Sequence, residues 1–311
     1  MQTVKDIELK KDMTVVDLMQ QFHGVGGFTA KKLATASDIL KKMQGDEESF
    51  NFFSFPACII ATGVRSVVRD LVKEKKFDAI VTTPGTVVHD LARLWQDYYE
   101  GSFEADDKKL HEEGINRLGN VFIPNSSYGE ILEKRLQPIF KKIYDSVEDK
   151  VLAPYELVWK IGEFLESEPN KEESIVYWCY KNKVPMFLPG VTDGALGFQL
   201  IMFRQDYKDF KIDVFKDESL LEEIVFSHKK TGALMIGGGI SKHHVIWWNQ
   251  FKDGLDYTVY LTTAVEYDGS LSGARVKEAV SWGKVKPDAD YVTVEGEASV
   301  LLPLLALTIL D

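Results

Sequence analysis

The sequence predicts an α/β fold: a parallel sheet with helices on both faces, preceded by a helical segment. Three observations carry this expectation. From Ser49 onward, short β-branched or aromatic runs alternate with amphipathic stretches. Several of those runs end in glycine or a small polar residue. Before Ser49, apolar residues recur at helical spacing instead.

The elements follow in order. Residues 14–22 have helical apolar spacing and stop at Gly24, Gly26 and Gly27. A second helix starts near Thr29, read as its N-cap, with Leu33, Ala36, Leu40 and Met43 along one face. Strands are expected at 51–55, 79–83, 120–124, 184–188, 233–236, 257–262 and 291–294. Helices are expected between most of them, at 64–72, 87–95, 131–144, 155–165 and 220–226. The acidic segment 99–113 reads as an exposed excursion. The longest apolar stretch, Ala298–Leu310, is interrupted by Pro303 and is too short to span a bilayer. There is no internal repeat. The expected division is a helical segment at 1–48 and one catalytic domain at 49–311.

Composition bounds the function. Hydrophobic residues at 45% and charged residues at 27% describe an ordinary globular protein, not a disordered chain. Lysine plus arginine is 37 and aspartate plus glutamate is 48, so the formal charge is −11. Such a surface repels phosphates, so no nucleic-acid partner is expected; it suits a cationic substrate or a basic protein. Cys58 and Cys179 are too few for a disulfide framework or a zinc-ligand set and read as reduced, buried thiols. The opening MQTVKDIELKKDM has no apolar core of a secretory signal. A cytoplasmic protein without membrane association is expected.

In an open α/β sheet, ligands bind outside the carboxyl ends of the strands. The turns at 82–85, 189–194, 236–239 and 262–264 are therefore the first places to look. Gly237, Gly238 and Gly239 follow a strand and precede a helical stretch, a context that exposes backbone N–H groups to a pyrophosphate. The spaced GxGxxG fingerprint and the Walker A motif are both missing. Adjacent His243 and His244 point about 100° apart on a helix and do not chelate one metal, so no metal site is expected. The segment 266–284 is rich in turn formers yet ends Trp282-Gly283-Lys284. Lysine acts as a covalent catalyst only when its amine is partly unprotonated, which desolvation beside an indole assists. The local sequence alone favours a loop lysine whose stem lies on tryptophan.

The runs GGGISKHH, DYTVYLTTAVEYDGSLSGAR and EAVSWGKV closely resemble the C-terminal half of the deoxyhypusine synthase family. The similarity extends upstream through VPMFLPGVTDGALG and TTPGTVVHDLAR to ATGVR, and so from about Phe52 to the C-terminus. The resemblance implies a Rossmann-like, NAD-dependent transferase that is a homotetramer with sites at a subunit interface. It implies transfer of the 4-aminobutyl group of spermidine to a lysine of the translation factor 5A precursor. Carried across by position, Lys284 forms the covalent imine. His243, Trp282, Glu278 and Lys242 match the amine pocket, together with Gly269 and Ser270. The NAD side is implied to include Thr83, Gly85, Asp193, Gly238, Thr263, Ala264, Glu297 and Ala298.

The implied chemistry is coherent. A hydride leaves the carbon beside the secondary amine and is returned at the end. In between, Lys284 exchanges into the imine, diaminopropane departs, and the acceptor lysine displaces Lys284. An apolar wall excludes the water that would hydrolyse the imine.

Six positions at four sites depart from the family pattern. Phe198 and Leu271 stand where the family has acids, Val88-His89 replaces paired glutamates, and Ala57-Cys58 replaces Ser-Asn. A doubly charged amine needs an acid at each end, since a buried unpaired charge is costly. Glu278, Asp268 and Glu266 are the acids that remain near the motif. Two further readings stay open: a homospermidine-synthase-like or agmatine-using transferase, and a catalytically idle NAD-binding homologue.

Overall fold

Phe52, Phe53 and Phe55 are all fully buried, although neighbours on a strand point to opposite faces. A strand buried on both sides is what a parallel sheet flanked by helices requires. The computed structural model describes residues 1–310 and places this strand, β1 (Ser49–Phe55), in such a sheet. With β2 (Ala79–Thr82), β3 (Lys230–Ile236), β4 (Leu255–Thr262) and β5 (Val285–Glu295), the order is β5-β4-β3-β1-β2. The pairs β1–β3, β3–β4 and β4–β5 are parallel. Leu255 faces Val285 but Tyr257 faces Asp290, so residues 286–289 bulge out of β5.

These strands belong to the first of two compact units, made of Met1–Pro56, Glu74–Val81 and the chain from Leu220 onward. The unit takes in the 1–48 segment together with part of the region expected as a separate domain. The helices wholly within it are α1 (Val15–Gln21), α2 (Phe28–Gln44), α3 (Ile240–Asn249), α4 (Val276–Ser281) and α5 (Ala298–Leu310), and it also takes in the end of the helix Val214–Ser227. Thr14 caps α1 in a reciprocal capping box with Asp17. α2 starts earlier than expected: Gly27 takes the extended cap position, and Thr29 falls inside the first turn. Its expected inner face is correct, since Leu33, Ala36, Leu40 and Met43 are all buried. Met43 lies so close to the sheet that a Cβ on Gly232 would sit 2.4 Å from its Sδ. The apolar run Ala298–Leu310 is the helix α5, which contains Pro303 and buries Leu302 and Leu305. No helix among the described residues is long and apolar enough to cross a membrane.

The second unit, Ala57–Lys73 and Thr82–Ser219, is mainly helical. The strand expected at 120–124 is not part of the parallel sheet. Val121–Pro124 is the centre of a three-stranded antiparallel sheet, paired with Tyr99–Glu100 and Ile115–Leu118. Gly119, at φ +62°, makes the hairpin turn that periodicity alone did not reveal. The acidic segment is largely exposed, as expected, but contains the short helix Asp107–Glu112 capped by Asp106. At the unit's centre Arg65 Nε donates to the buried Asp90 carboxylate at 2.7 Å. Its second oxygen accepts from Ser174 Oγ at 2.6 Å and Val176 N at 3.0 Å. The expectation of two buried thiols is correct for Cys179, whose burial pushes its thiol up, and wrong for Cys58, which is exposed. Cys58 sits in the 3-10 turn Ala57–Ala61, whose apolar contacts are made by Ile59, Ile60 and Ala61 instead.

Candidate active site

β3 leaves the sheet at Ile236 and enters α3 through three glycines. Gly237 (φ +63°) and Gly239 (φ +88°) occupy the left-handed region that a side chain resists. Gly238 is needed for a different reason: a Cβ there would lie 2.2 Å from Ser272 Oγ. The loop carrying Ser272 is pinned at this point. Tyr260 Oη and Thr262 Oγ1 both donate to the Ser272 carbonyl, at 2.7 and 2.9 Å. Lys242 Nζ, from the first turn of α3, donates to the carbonyls of Leu271 (2.7 Å) and Ala274 (2.6 Å). Burial pushes the Lys242 amine down to about 8, with Glu278 opposing the shift and Arg275 adding to it.

Downstream, α4 crosses β5, and Gly283 (φ +66°) turns the chain back toward the sheet. Lys284 N donates to Ala279 O at 3.0 Å, and Lys284 O accepts from Leu255 N at 3.1 Å. Lys284 therefore stands at the entrance to β5, at the sheet's amino-terminal edge.

A cleft of about 160 Å³ opens between α3 and α4. Lys242, His243 and Ile246 line one side; Leu271, Ala274, Arg275, Glu278, Ala279, Trp282 and Lys284 line the rest. Lys284 Nζ lies 5.1 Å from the Trp282 ring centre and 6.0 Å from that of Trp247. Burial, and then the positive charge of Lys284, hold the His243 imidazole below its ordinary value, so it is neutral at pH 7. Among the described residues, His243 Nδ1 is buried without a hydrogen-bond partner, as is Nη1 of Arg275. Arg275 is otherwise engaged with Glu266 at 3.2 Å and Glu295 at 3.9 Å. Among the described residues, Glu278 is the one carboxylate lining the cleft. The arrangement sets a lysine side chain, a neutral imidazole and a carboxylate against apolar walls.

Five of the residues expected at the amine pocket thus meet in one cleft: Lys284, Trp282, Glu278, His243 and Lys242. Lys242 lines it but directs N–H groups to loop carbonyls. Gly269 and Ser270 do not line it. They form an exposed turn in which the Asp268 carboxylate accepts from Ser270 N and Oγ, both at 2.7 Å. Of the departures, Leu271 lines the cleft, whereas Phe198 is exposed on the helix Gly194–Asp206 of the second unit. Val88 and His89 are buried; burial pushes His89 down to about 4, and its Nδ1 pairs with Tyr98 Oη at 2.9 Å. Trp247 and Arg275 were given no role from sequence. The signal for Trp247 was its i+4 spacing from His243, which puts both on one face of α3.

Gly238, Thr263, Ala264, Glu297 and Ala298 follow the carboxyl ends of β3, β4 and β5. Nothing lies within 4 Å of a Cβ placed on Gly239, so the start of α3 is open to a phosphate. Burial raises Glu297, but hydrogen bonds led by that from Ser299 outweigh it and hold the carboxyl below its usual range. An exposed, ionised carboxylate after a strand end suits ribose hydroxyls, so these residues fit a dinucleotide. In the second unit, Thr83 Oγ1 accepts from Ala57 N at 3.2 Å, and a Cβ on Gly85 would lie 2.7 Å from that of Ala57. Asp193 is the N-cap residue of the helix Gly194–Asp206, with no cap bond from its side chain.

The family profile and the curated relatives agree on one family. The profile described as "Deoxyhypusine synthase" matches residues 17–309. A "Probable deoxyhypusine synthase" of Picrophilus torridus is 52% identical over 302 residues, covering 97% of this chain and 95% of that protein. One from Sulfolobus acidocaldarius is 44% identical over 308 residues, covering 99% and 96%. Among solved structures, the "Crystal Structure of a putative deoxyhypusine synthase from Entamoeba histolytica" aligns with a TM-score of 0.66 at 21% identity, over 98% of this chain and 96% of that one. That last likeness concerns the fold.

Proposed function

The chain belongs to the deoxyhypusine synthase family, and from that premise we propose how its own residues carry out an aminobutyl transfer. The donor is spermidine or a related polyamine, and the acceptor is a lysine of the translation factor 5A precursor. One observation carries the reading: the Lys284 amine stands beside two indoles in a cleft that also holds Glu278, His243 and Lys242.

Glu278 receives an ammonium of the donor. Lys284 supplies the nitrogen that takes over the aminobutyl group as an imine, then gives it up to the acceptor lysine. Trp282 screens that imine from water. His243, neutral and with an unoccupied Nδ1, accepts or returns a proton as amines exchange at Lys284. Gly238, Thr263, Ala264, Glu297 and Ala298 of the first unit would hold NAD. NAD supplies hydride acceptance and return, so the transfer needs no outside oxidant.

A homotetramer with sites shared between copies is part of the same proposal. Lys284 precedes β5 while Glu297 and Ala298 follow it, at opposite edges of the sheet. The eight residues of β4 span roughly 25 Å between those edges. Leu271 in the wall, with Glu278 the one lining carboxylate, favours as a second reading a donor held by one ammonium. That donor belongs to a homospermidine-synthase-like or agmatine-using transferase.

The test is incubation with NAD, labelled spermidine and a factor 5A precursor, followed by mass analysis of both proteins. The expected result is an aminobutyl addition to one acceptor lysine and, after borohydride, to Lys284. No addition to either protein sinks the proposal.

A further inference from the structure

Trp247 belongs to none of the family motifs, yet it completes the surroundings of the cleft's amine. It lies one turn after His243 on α3, and the two rings face each other at 5.8 Å between centres, 27° from parallel. Phe251 meets Trp247 edge-on at 5.6 Å and 89°, which restrains the indole from its other side. Lys284 Nζ lies 6.0 Å from the Trp247 ring centre and 5.1 Å from that of Trp282. Two indoles, 42% and 67% exposed in the single chain, therefore flank one amine in a cleft that His243 also lines. The remaining charged groups around the cleft, Lys242, Arg275 and Glu278, belong to its other walls.

We propose that Trp247 is a positioning residue for the transfer: with Trp282 it walls the Lys284 nitrogen from bulk water, and it holds the His243 ring against that nitrogen. This rests on reading Lys284 as the imine-forming lysine. The chemistry defines what the wall prevents. Water adding to the Lys284 imine breaks its C=N bond and yields free Lys284 and 4-aminobutanal, so the group is lost before the acceptor receives it. An indole face also attracts a cationic amine, which limits the excursions of the Lys284 side chain.

The test uses the full chain with Trp247→Ala, Trp247→Leu and Trp247→Phe, and has two readouts. The first needs neither substrate nor cofactor: labelling of Lys284 by trinitrobenzenesulfonate, relative to Lys286, which is held by Asp256 at 2.6 Å. That ratio is expected to rise about tenfold in Trp247→Ala and Trp247→Leu and to stay within about twofold of wild type in Trp247→Phe. The second is the amount of 4-aminobutanal released per aminobutyl group transferred, with NAD, spermidine and the factor 5A precursor present. It is expected to rise in the first two variants and be restored by Phe, a partition that does not depend on how much protein is folded. An unchanged labelling ratio in both Ala and Leu variants overturns the wall. If labelling rises but wild type transfers nothing, the transferase reading falls while the wall stands on the labelling.

Discussion

Lys242 Nζ lies 3.8 Å from the centre of the Tyr260 ring, and the two side chains grip the same loop from adjacent elements. Lys242 holds the carbonyls of Leu271 and Ala274, and Tyr260 holds that of Ser272 between them. The cleft wall formed by Leu271 and Ala274 is thus fixed by a buried ammonium and a buried phenol.

Tyr260→Phe should cost about 1 kcal/mol in urea unfolding, the net worth of one hydrogen bond. Lys242→Met should cost about 2–4 kcal/mol, because it strands two carbonyls. The pH dependence has a definite sign. Burial depresses Lys242 from 10.5 to about 8, so between those values the unfolded chain keeps a proton that the folded chain has released. The stability owed to this group therefore rises with pH across that window, and the burial penalty is fully present below it. Unfolding of wild type and Lys242→Met from pH 7 to 10 should show the wild type gaining relative to the variant. A constant difference would place the titration elsewhere.

Lys284→Arg keeps the positive charge beside both indoles but cannot form an imine, since guanidinium stays protonated. The variant should bind NAD as wild type does and transfer nothing. In wild type, borohydride with NAD and donor should add an aminobutyl-sized mass to the peptide holding Trp282 and Lys284. An adduct on Lys242 instead would move the nucleophile to α3, and wild-type transfer by the Arg variant would end the covalent route.

Leu271→Asp would give the cleft a second carboxylate opposite Glu278. Donors with an ammonium at each end should then gain in kcat/KM over those with one, by about tenfold for one well-placed ion pair. The readout is the ranking of a polyamine panel. An unchanged ranking would mean that Lys242 and Arg275 absorb the new charge.

NAD should raise the melting temperature, as any ligand selective for the folded state does. Glu297→Ala should shrink that rise by removing the carboxylate proposed for the ribose hydroxyls. No shift at saturating NAD in wild type would remove the cofactor assignment.

Alternation of strands with helices made the sheet legible, and four of its five strands in the first unit were expected within a few residues of their ends. The fifth, β5, begins six residues before the expected 291, because its bulged start carries Pro287 and Asp288, which do not read as strand. The misassigned strand at 120–124 reads the same in periodicity whichever sheet it joins; only its neighbours Ile115–Leu118 and Gly119 reveal the hairpin. The helices Ile175–Asn182 and Gly194–Asp206 escaped notice because aromatic and apolar residues occupy much of their circumference, which blurs a helical stripe. The site divides similarly. Motif resemblance pointed to Lys284, Trp282, Glu278 and His243, which line one cleft, while the rule of strand ends pointed only to the turns proposed for the cofactor. The cleft lies between two helices, where no local pattern marks it, and Trp247 enters it through the turn of a helix alone.

The bulged entrance to β5 has a consequence for the assembled enzyme. If, as proposed, copies share their sites, Lys284 before β5 and Glu297 after it would serve different reaction chambers, each chain giving a part to two. Two chains crippled in different halves, Lys284→Ala in one and Glu297→Ala in the other, should then rescue each other when assembled together. Mixed particles would regain a share of turnover that neither parent has, and titrating one against the other would count the chambers rebuilt.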